Sequence, residues 1–148
     1  MTPSKDQTPL AFVERFLQAM SRLDVDSMFA EQAPDVVCVF PTAPGGPQEI
    51  RGRKTNRTFY ATVIRQMTPT FTITRMELHT FADDPTRVVV EYSSEGAIVD
   101  GRPYQNRYLA LATVRDGLIQ HWTEYLDPVP FQQAQAAMQA ALRAGDSR

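Results

Sequence analysis

Apolar positions recur along this chain with two different periods, and the change of period divides it. Leu10, Val13, Phe16, Leu17 and Met20 fall at helical spacing behind Thr8, suited to an N-cap, and Pro9, suited to a first helical position. The spacing predicts an amphipathic helix over 8–22. A second, shorter helix is expected from Asp24 as cap through Met28 and Phe29, stopped by Pro34. The run DVVCVFP then reads as a short buried strand, and TAPGGPQEIRG as turn chemistry throughout. Helical spacing returns over 53–67, where Phe59, Tyr60, Val63, Ile64 and Met67 form a stripe that Pro69 terminates.

From Thr70 the period falls to two. Four strands follow, FTITRMELHTF, TRVVVEYSSEGAIV, RPYQNRYLALATV and LIQHWTEYL, separated by DDP, DG and RDG. The apolar positions of the first of these change parity near Arg75, so its facing, and that of His79, stays open. An Ala/Gln-rich segment from Phe131 to Arg143 reads as a last helix ending at Gly145. Nothing repeats at a fixed period and no linker interrupts the chain, so a single domain over 1–148 is expected, with 1–7 and 144–148 flexible. The fold class is α+β, with N-terminal helices packed on a curved antiparallel meander.

Turn lengths predict which strand positions share a face, because loop length fixes hairpin register. Asp100-Gly101 suits a two-residue turn, which sets Glu95 opposite Asn106 and Ser93 opposite Tyr108. Arg115-Asp116-Gly117 suits a three-residue loop, which sets Trp122 opposite Ala110 and Glu124 opposite Tyr108. One face then collects Ser93, Glu95, Asn106, Tyr108, Ala110, Ala112, Trp122 and Glu124. The other collects Val88, Val90, Tyr92, Leu109, Leu111, Ile119, His121 and Tyr125, too apolar to be left wet. The helices cover one side only and are assigned to the Glu124 face. A second subunit is the expected cover for the convex side, giving a homodimer. His79 and His121 are expected at the surface or in that interface.

Composition narrows the function classes. The 15 basic and 17 acidic residues leave a net charge of -2 with no long basic run, which offers nucleic acid no docking surface. No apolar stretch approaches the ~18 residues of a spanning helix, and the N-terminus lacks the apolar core of a signal peptide, so no membrane role is expected and the cytoplasm is the expected location. Cys38 is the only cysteine and sits in an apolar run, where it reads as a small buried hydrophobe. The two histidines lack metal-ligand spacing and no Gly-rich phosphate loop appears, so neither a metal nor a cofactor is expected. What remains is Glu124, a carboxylate between Trp122 and Leu126 on a face that should be buried. Unpaired buried charge is expensive, so such a group has a partner or a purpose.

The element order, together with DVVCVFPTAPGG, RGR opening a helix, DDPTRVVVEY, EGAIVDGRPYQNRY and VRDGLIQHWTEYLDP, resembles the cone-shaped nuclear transport factor 2-like superfamily over nearly the whole chain. That superfamily includes ketosteroid isomerase, SnoaL-like polyketide cyclases and limonene epoxide hydrolase. The likeness is strongest to PhzA/PhzB-like phenazine-biosynthesis proteins. It implies a conical small-molecule pocket between the helices and the concave sheet face, and an acid/base role for Glu124. Two departures bear on the reaction. Ser93 stands where the epoxide hydrolase pattern has arginine, and Phe59 stands where phenazine members carry histidine.

The expected function is therefore a small-molecule isomerase, cyclase or dehydratase using cofactor-free acid/base chemistry on a cyclic or aromatic carbonyl compound. Glu124 carries the proton, Tyr108 donates to an enolate or carbonyl oxygen, and Glu95 is a second acid/base candidate. Ser93 and Asn106 orient the ligand, and Trp122, Ala110, Leu126, Phe59 and Val63 complete the expected lining. The alternative is a binding or assembly protein whose pocket holds a ligand without turning it over.

Overall fold

A computed structural model describes residues 5–146. The outermost of the ends expected to be flexible, 1–4 and 147–148, lie outside the described residues; inward of them Lys5–Gln7 form a 3-10 turn. Then come α1 (Pro9–Ser21), α2 (Val25–Ala30), β1 (Gln32–Phe40) and β2 (Gln48–Arg51). A longer helical stretch consists of α3 (Arg53–Phe59), a π-helical turn (Tyr60–Ile64) and α4 (Arg65–Met67). Strands β3 (Thr70–Thr80), β4 (Arg87–Ala97), β5 (Pro103–Arg115) and β6 (Leu118–Leu126) precede α5 (Pro128–Asp146).

Both N-terminal helices start where their caps are. The Thr8 hydroxyl accepts from the Ala11 amide at 3.2 Å and the Asp24 carboxylate from the Ser27 amide at 3.2 Å, each satisfying a donor the helix cannot. The mixed α+β class is as expected, and the strands form one six-stranded sheet in the order β2-β1-β6-β5-β4-β3. The expected meander β3–β6 is present and antiparallel, while β1 lies parallel to β6. Three boundaries differ from expectation. Residues Gln48–Arg51, read as turn, pair with β1 as an edge strand. Strand β1 begins at Gln32 in spite of Pro34, because the pairing with β6 breaks register between Gln32 and Val37 and so needs no amide at the proline. Helix α5 runs on through Gly145 to Asp146.

Both hairpin turns differ from expectation as well. Ile98 and Arg102 close a three-residue loop, with the Gly101 amide bonded to the Ile98 carbonyl at 2.9 Å and Gly101 left-handed at φ 90°. Asp116 and Gly117, at φ 55° and 70°, form the two-residue turn instead, joining Arg115 directly to Leu118. The first change moves β4 by one residue against β5, so Tyr92 faces Tyr108 and Ser94 faces Asn106. A one-residue slip exchanges faces. Ser93 and Glu95 therefore lie on the convex side, Glu95 exposed, and Val88, Val90 and Tyr92 turn inward with 0%, 0% and 1% exposure. The second change moves β6 by one residue against β5 and the register irregularity between Thr113 and Val114 by one more, so Glu124 stands opposite Ala110 and Trp122 opposite Ala112, two residues from the expected partners, and the facing of β6 beyond the irregularity survives. The same irregularity also turns Ile119 inward, where it is fully buried. A similar shift between Ile73 and Arg75 accounts for the parity change in β3.

The main core fills the space between α1, α2 and the concave sheet, where Phe16 meets Trp122 with ring centroids 5.0 Å apart. A smaller cluster of Met67, Ile98, Tyr104, Ala134 and Ala137 seats α5 against the end of the sheet. On the convex side Leu109 and Tyr125 are cross-strand neighbours and 43% and 41% exposed, with Leu111 and His121 half-buried beside them. Among the described residues no helix is long and apolar enough to cross a membrane.

Candidate active site

A cavity of about 110 Å³ lies between the helices and the concave sheet face, lined mainly by apolar side chains such as Met28, Phe29, Phe40, Phe71 and Trp122. Glu124 is the carboxylate in its wall. It reaches the cavity because β6 alternates strictly there, sending Trp122, Glu124 and Leu126 inward and leaving Tyr125 out.

Glu124 is 8% exposed and no cation pairs with it among the described residues. Its Oε1 accepts the Tyr92 hydroxyl and, at 3.3 Å, the Trp122 indole N–H. Its Oε2 has no hydrogen-bond partner among the described residues. Burial drives its pKa up to about 7, and the bonds from Tyr92 and Trp122 pull the other way without restoring an ordinary value. The same burial, aided by the Glu124 charge, pushes the Cys38 thiol up to about 12 and keeps it protonated. Tyr92 is raised well above its ordinary value, first by burial and then by Glu124. It is a hydrogen-bond donor and not an acid at neutral pH.

A second polar group stands beside this pair. Tyr108 stacks on Tyr92 with centroids 4.4 Å apart and planes 12° from parallel, but its hydroxyl meets Ser94 Oγ at 2.8 Å and the Tyr104 hydroxyl at 3.3 Å. Asn106 anchors one end of the chain. Its Oδ1 accepts the backbone amides of Arg107 at 2.7 Å and Asp127 at 3.1 Å, which leaves Nδ2 to donate to the Tyr104 hydroxyl at 2.9 Å. Tyr104, with an oxygen already engaged, has its proton available for Tyr108.

Of the residues expected at the site, Glu124, Tyr108, Trp122, Leu126 and Phe59 line the cavity. Asn106 is buried behind it, bonded to Tyr104 and to the Asp127 backbone, and Ala110 is fully buried core beneath the helices. Val63 packs against the Met67 cluster. Ser93 and Glu95 are absent from the cavity wall because the register of β4 turns them to the convex side.

Tyr92 and Ser94 take the places expected of Ser93 and Glu95, and the apolar alternation Val88, Val90, Tyr92 was the available signal for them. Tyr104 alternates with Asn106 and Tyr108 and was legible in the same way. Asn56 also lines the cavity, one helical turn before Tyr60 on the same side. Gln32 and Phe131 carry no comparable sequence signal. Among the described residues no group of His, Cys, Asp and Glu side chains is arranged to hold a metal.

Comparison with known proteins agrees with this architecture. Residues 13–122 match the model of the SnoaL-like domain. The uncharacterized protein YesE of Bacillus subtilis (strain 168) is 26% identical over 124 residues, spanning 82% of this chain and 83% of that one. A crystal structure named "Putative Isomerase" from Bacillus subtilis superposes with a TM-score of 0.72 at 25% identity, over 83% of this chain and 88% of that one. The phenazine biosynthesis-related protein PhzB2 of Pseudomonas aeruginosa gives a TM-score of 0.67 at 20% identity, over 84% and 82% of the two chains, a likeness of fold.

Proposed function

Given that the chain belongs to the SnoaL-like domain family, of the isomerase and cyclase class, we propose that its cavity performs cofactor-free acid/base chemistry on a small cyclic carbonyl metabolite. The observation that carries this reading is Glu124: a buried carboxylate in the cavity wall, its pKa raised to about 7, with one oxygen fixed by Tyr92 and Trp122 and the other without a partner among the described residues. A group with that pKa can both take and return a proton at cellular pH. Glu124 Oε2 removes a proton from carbon beside the carbonyl and delivers it elsewhere on the same ring, or to a leaving hydroxyl.

Charge developing on the carbonyl oxygen needs a donor already in place. Tyr108 supplies it. Asn106 donates to Tyr104, and when Tyr104 and Ser94 both donate to Tyr108, an arrangement these hydroxyls allow, the Tyr108 proton is left for the ligand. Trp122 and Phe59 provide flat apolar walls for a ring. The protein works in the cytoplasm as a homodimer through the convex sheet face. The cross-strand pair Leu109 and Tyr125, two of five large hydrophobics exposed among the described residues, supports a second copy as the cover.

Deuterium wash-in at the α-carbon of cyclohexanone, followed by NMR in D2O, tests the chemistry. The wild-type protein should accelerate exchange, and Glu124→Gln should slow it by about a hundredfold or more. Equal rates in both proteins would leave a binding pocket in which Glu124 and Tyr92 are a satisfied polar pair.

A further inference from the structure

Gln32 and Asn56 form a polar corner of the cavity that the acid/base chemistry does not use. Both line the cavity, with 1% and 7% exposure. Asn56 Nδ2 donates to Gln32 Oε1 at 3.1 Å and to Cys38 Sγ at 3.0 Å. That leaves Gln32 Nε2 and Asn56 Oδ1 without hydrogen-bond partners among the described residues. Neither atom is fully buried, since the one fully buried unpartnered polar atom among the described residues is Arg65 Nε, and both residues line the cavity. Buried amide groups of this kind are ordinarily satisfied, so an unfilled donor and acceptor in a cavity wall point to a ligand.

The pattern does not depend on how the amides are oriented. Two carboxamides joined by a single hydrogen bond use one N–H and one oxygen. If both were turned over, Gln32 would offer oxygen and Asn56 nitrogen, and the corner would still show the cavity one donor and one acceptor. Cys38, which Asn56 touches, is the cross-strand partner of Trp122, whose indole bonds Glu124, and all four side chains line the same cavity, so a small ring seated at this corner lies on the side of the cavity that holds the carboxylate.

The geometry points to Gln32 and Asn56 as a substrate-recognition subsite for a ring that carries a hydrogen-bond donor and acceptor side by side, as a lactam or an enolised dicarbonyl does. One edge of the ring pairs with the two amides while its reacting carbon faces Glu124. This rests on the acid/base reading for the role of the bound ring, but the pairing itself is separable from it. An apolar wall cannot strongly reject a close analogue, whereas a site holding buried polar groups rejects any ligand that leaves them unpaired.

The probes are 2-pyridone, which carries the full edge, and 1-methyl-2-pyridone, which keeps the carbonyl and loses the donor. Dissociation constants from NMR titration should favour 2-pyridone by about tenfold or more in the wild-type protein. The preference should fall to about parity in Asn56→Leu. In Gln32→Met both probes should weaken because their shared carbonyl loses its donor, and Asn56→Ala, the variant to use should Asn56→Leu not fold, should likewise bring the two probes to about parity. With the amides turned over the Asn56 and Gln32 variants exchange outcomes, whereas a merely structural role for the amides would weaken both probes alike and keep their ratio in Asn56→Leu and in Gln32→Met. That result would overturn the subsite, as would no binding of 2-pyridone or equal affinities in the wild type. Glu124→Gln separates the two readings: loss of wash-in with the probe ratio kept supports both, whereas a ratio that vanishes with Glu124 and survives both Asn56→Leu and Gln32→Met overturns the subsite alone.

Discussion

Tyr92 and Tyr108 stand opposite each other on β4 and β5 with rings stacked at 4.4 Å, yet their hydroxyls serve different networks. One donates to Glu124, and the other closes a chain through Ser94 and Tyr104. Packing and polar function are thereby separable, because a phenylalanine at either position keeps the stack and removes one hydroxyl.

In Tyr92→Phe, Glu124 loses the donor that holds its pKa down. Its titration should move to higher pH, and any rate that depends on the carboxylate should move with it. Tyr108→Phe should instead lower the rate by about 10²–10³ with a smaller change in the Glu124 titration. Carboxyl-detected NMR of the two variants, beside a pH–rate profile, distinguishes them.

Glu124 also links stability to pH. Its folded pKa of about 7 lies above the ordinary 4.5, so the folded state binds its proton more tightly than the unfolded chain. The resulting stabilisation is complete below about pH 4.5 and is lost as pH rises through about 7. The total is about 3 kcal/mol. Urea melts should show the wild type losing stability between pH 5 and 8 relative to Glu124→Gln, in which the slope is absent. Parallel curves for the two proteins would mean that Glu124 is ionised throughout.

Glu95 and Ser93 provide the control for register. Glu95→Gln and Ser93→Ala, on the convex side, should leave cyclohexanone exchange within about twofold, as is usual for a surface change. Ser94→Ala should lower exchange, since it removes a partner of Tyr108. The reverse ranking would restore the two-residue turn at Asp100-Gly101.

For the dimer, sedimentation at micromolar concentration should give about twice the chain mass. Leu109→Asp should reduce it to one chain by burying a charge in the proposed interface. A wild-type monomer would assign the exposed Leu109 and Tyr125 to some other contact.

Element types were legible because periodicity is strong in α1 and in β4–β6, and Glu124 was legible because β6 alternates cleanly. The register of β4 was not. Asp-Gly serves both a two-residue turn and a three-residue loop with glycine left-handed, so the dipeptide alone does not choose. At Asp100 the side chain accepts the Arg102 amide at 3.1 Å and the Arg102 Nε at 2.8 Å, contacts of the three-residue loop. Burial decides in the same direction, since turning Val88, Val90 and Tyr92 inward is worth more than burying Ser93 and Glu95. Edge strand β2 was hidden because its polar residues are mostly exposed and pack little. Gln32 and Asn56 come together only through the β1–α3 contact, which no local pattern encodes.

The π-helical turn at Tyr60–Ile64 makes one wall of the cavity tolerant of deletion. A π turn holds one residue more than the α-helical path it replaces. Removing a single residue there would return the turn to that path and leave the helix beyond it in phase with the helix before it. Asn56 and Phe59 before the turn and Met67 and Thr68 beyond it would keep their places at the cavity, while Tyr60 and Ile64, within the turn, were re-aimed. Loss of a single codon at this turn thus offers a route by which the same sheet, carboxylate and tyrosines come to face a differently shaped ligand.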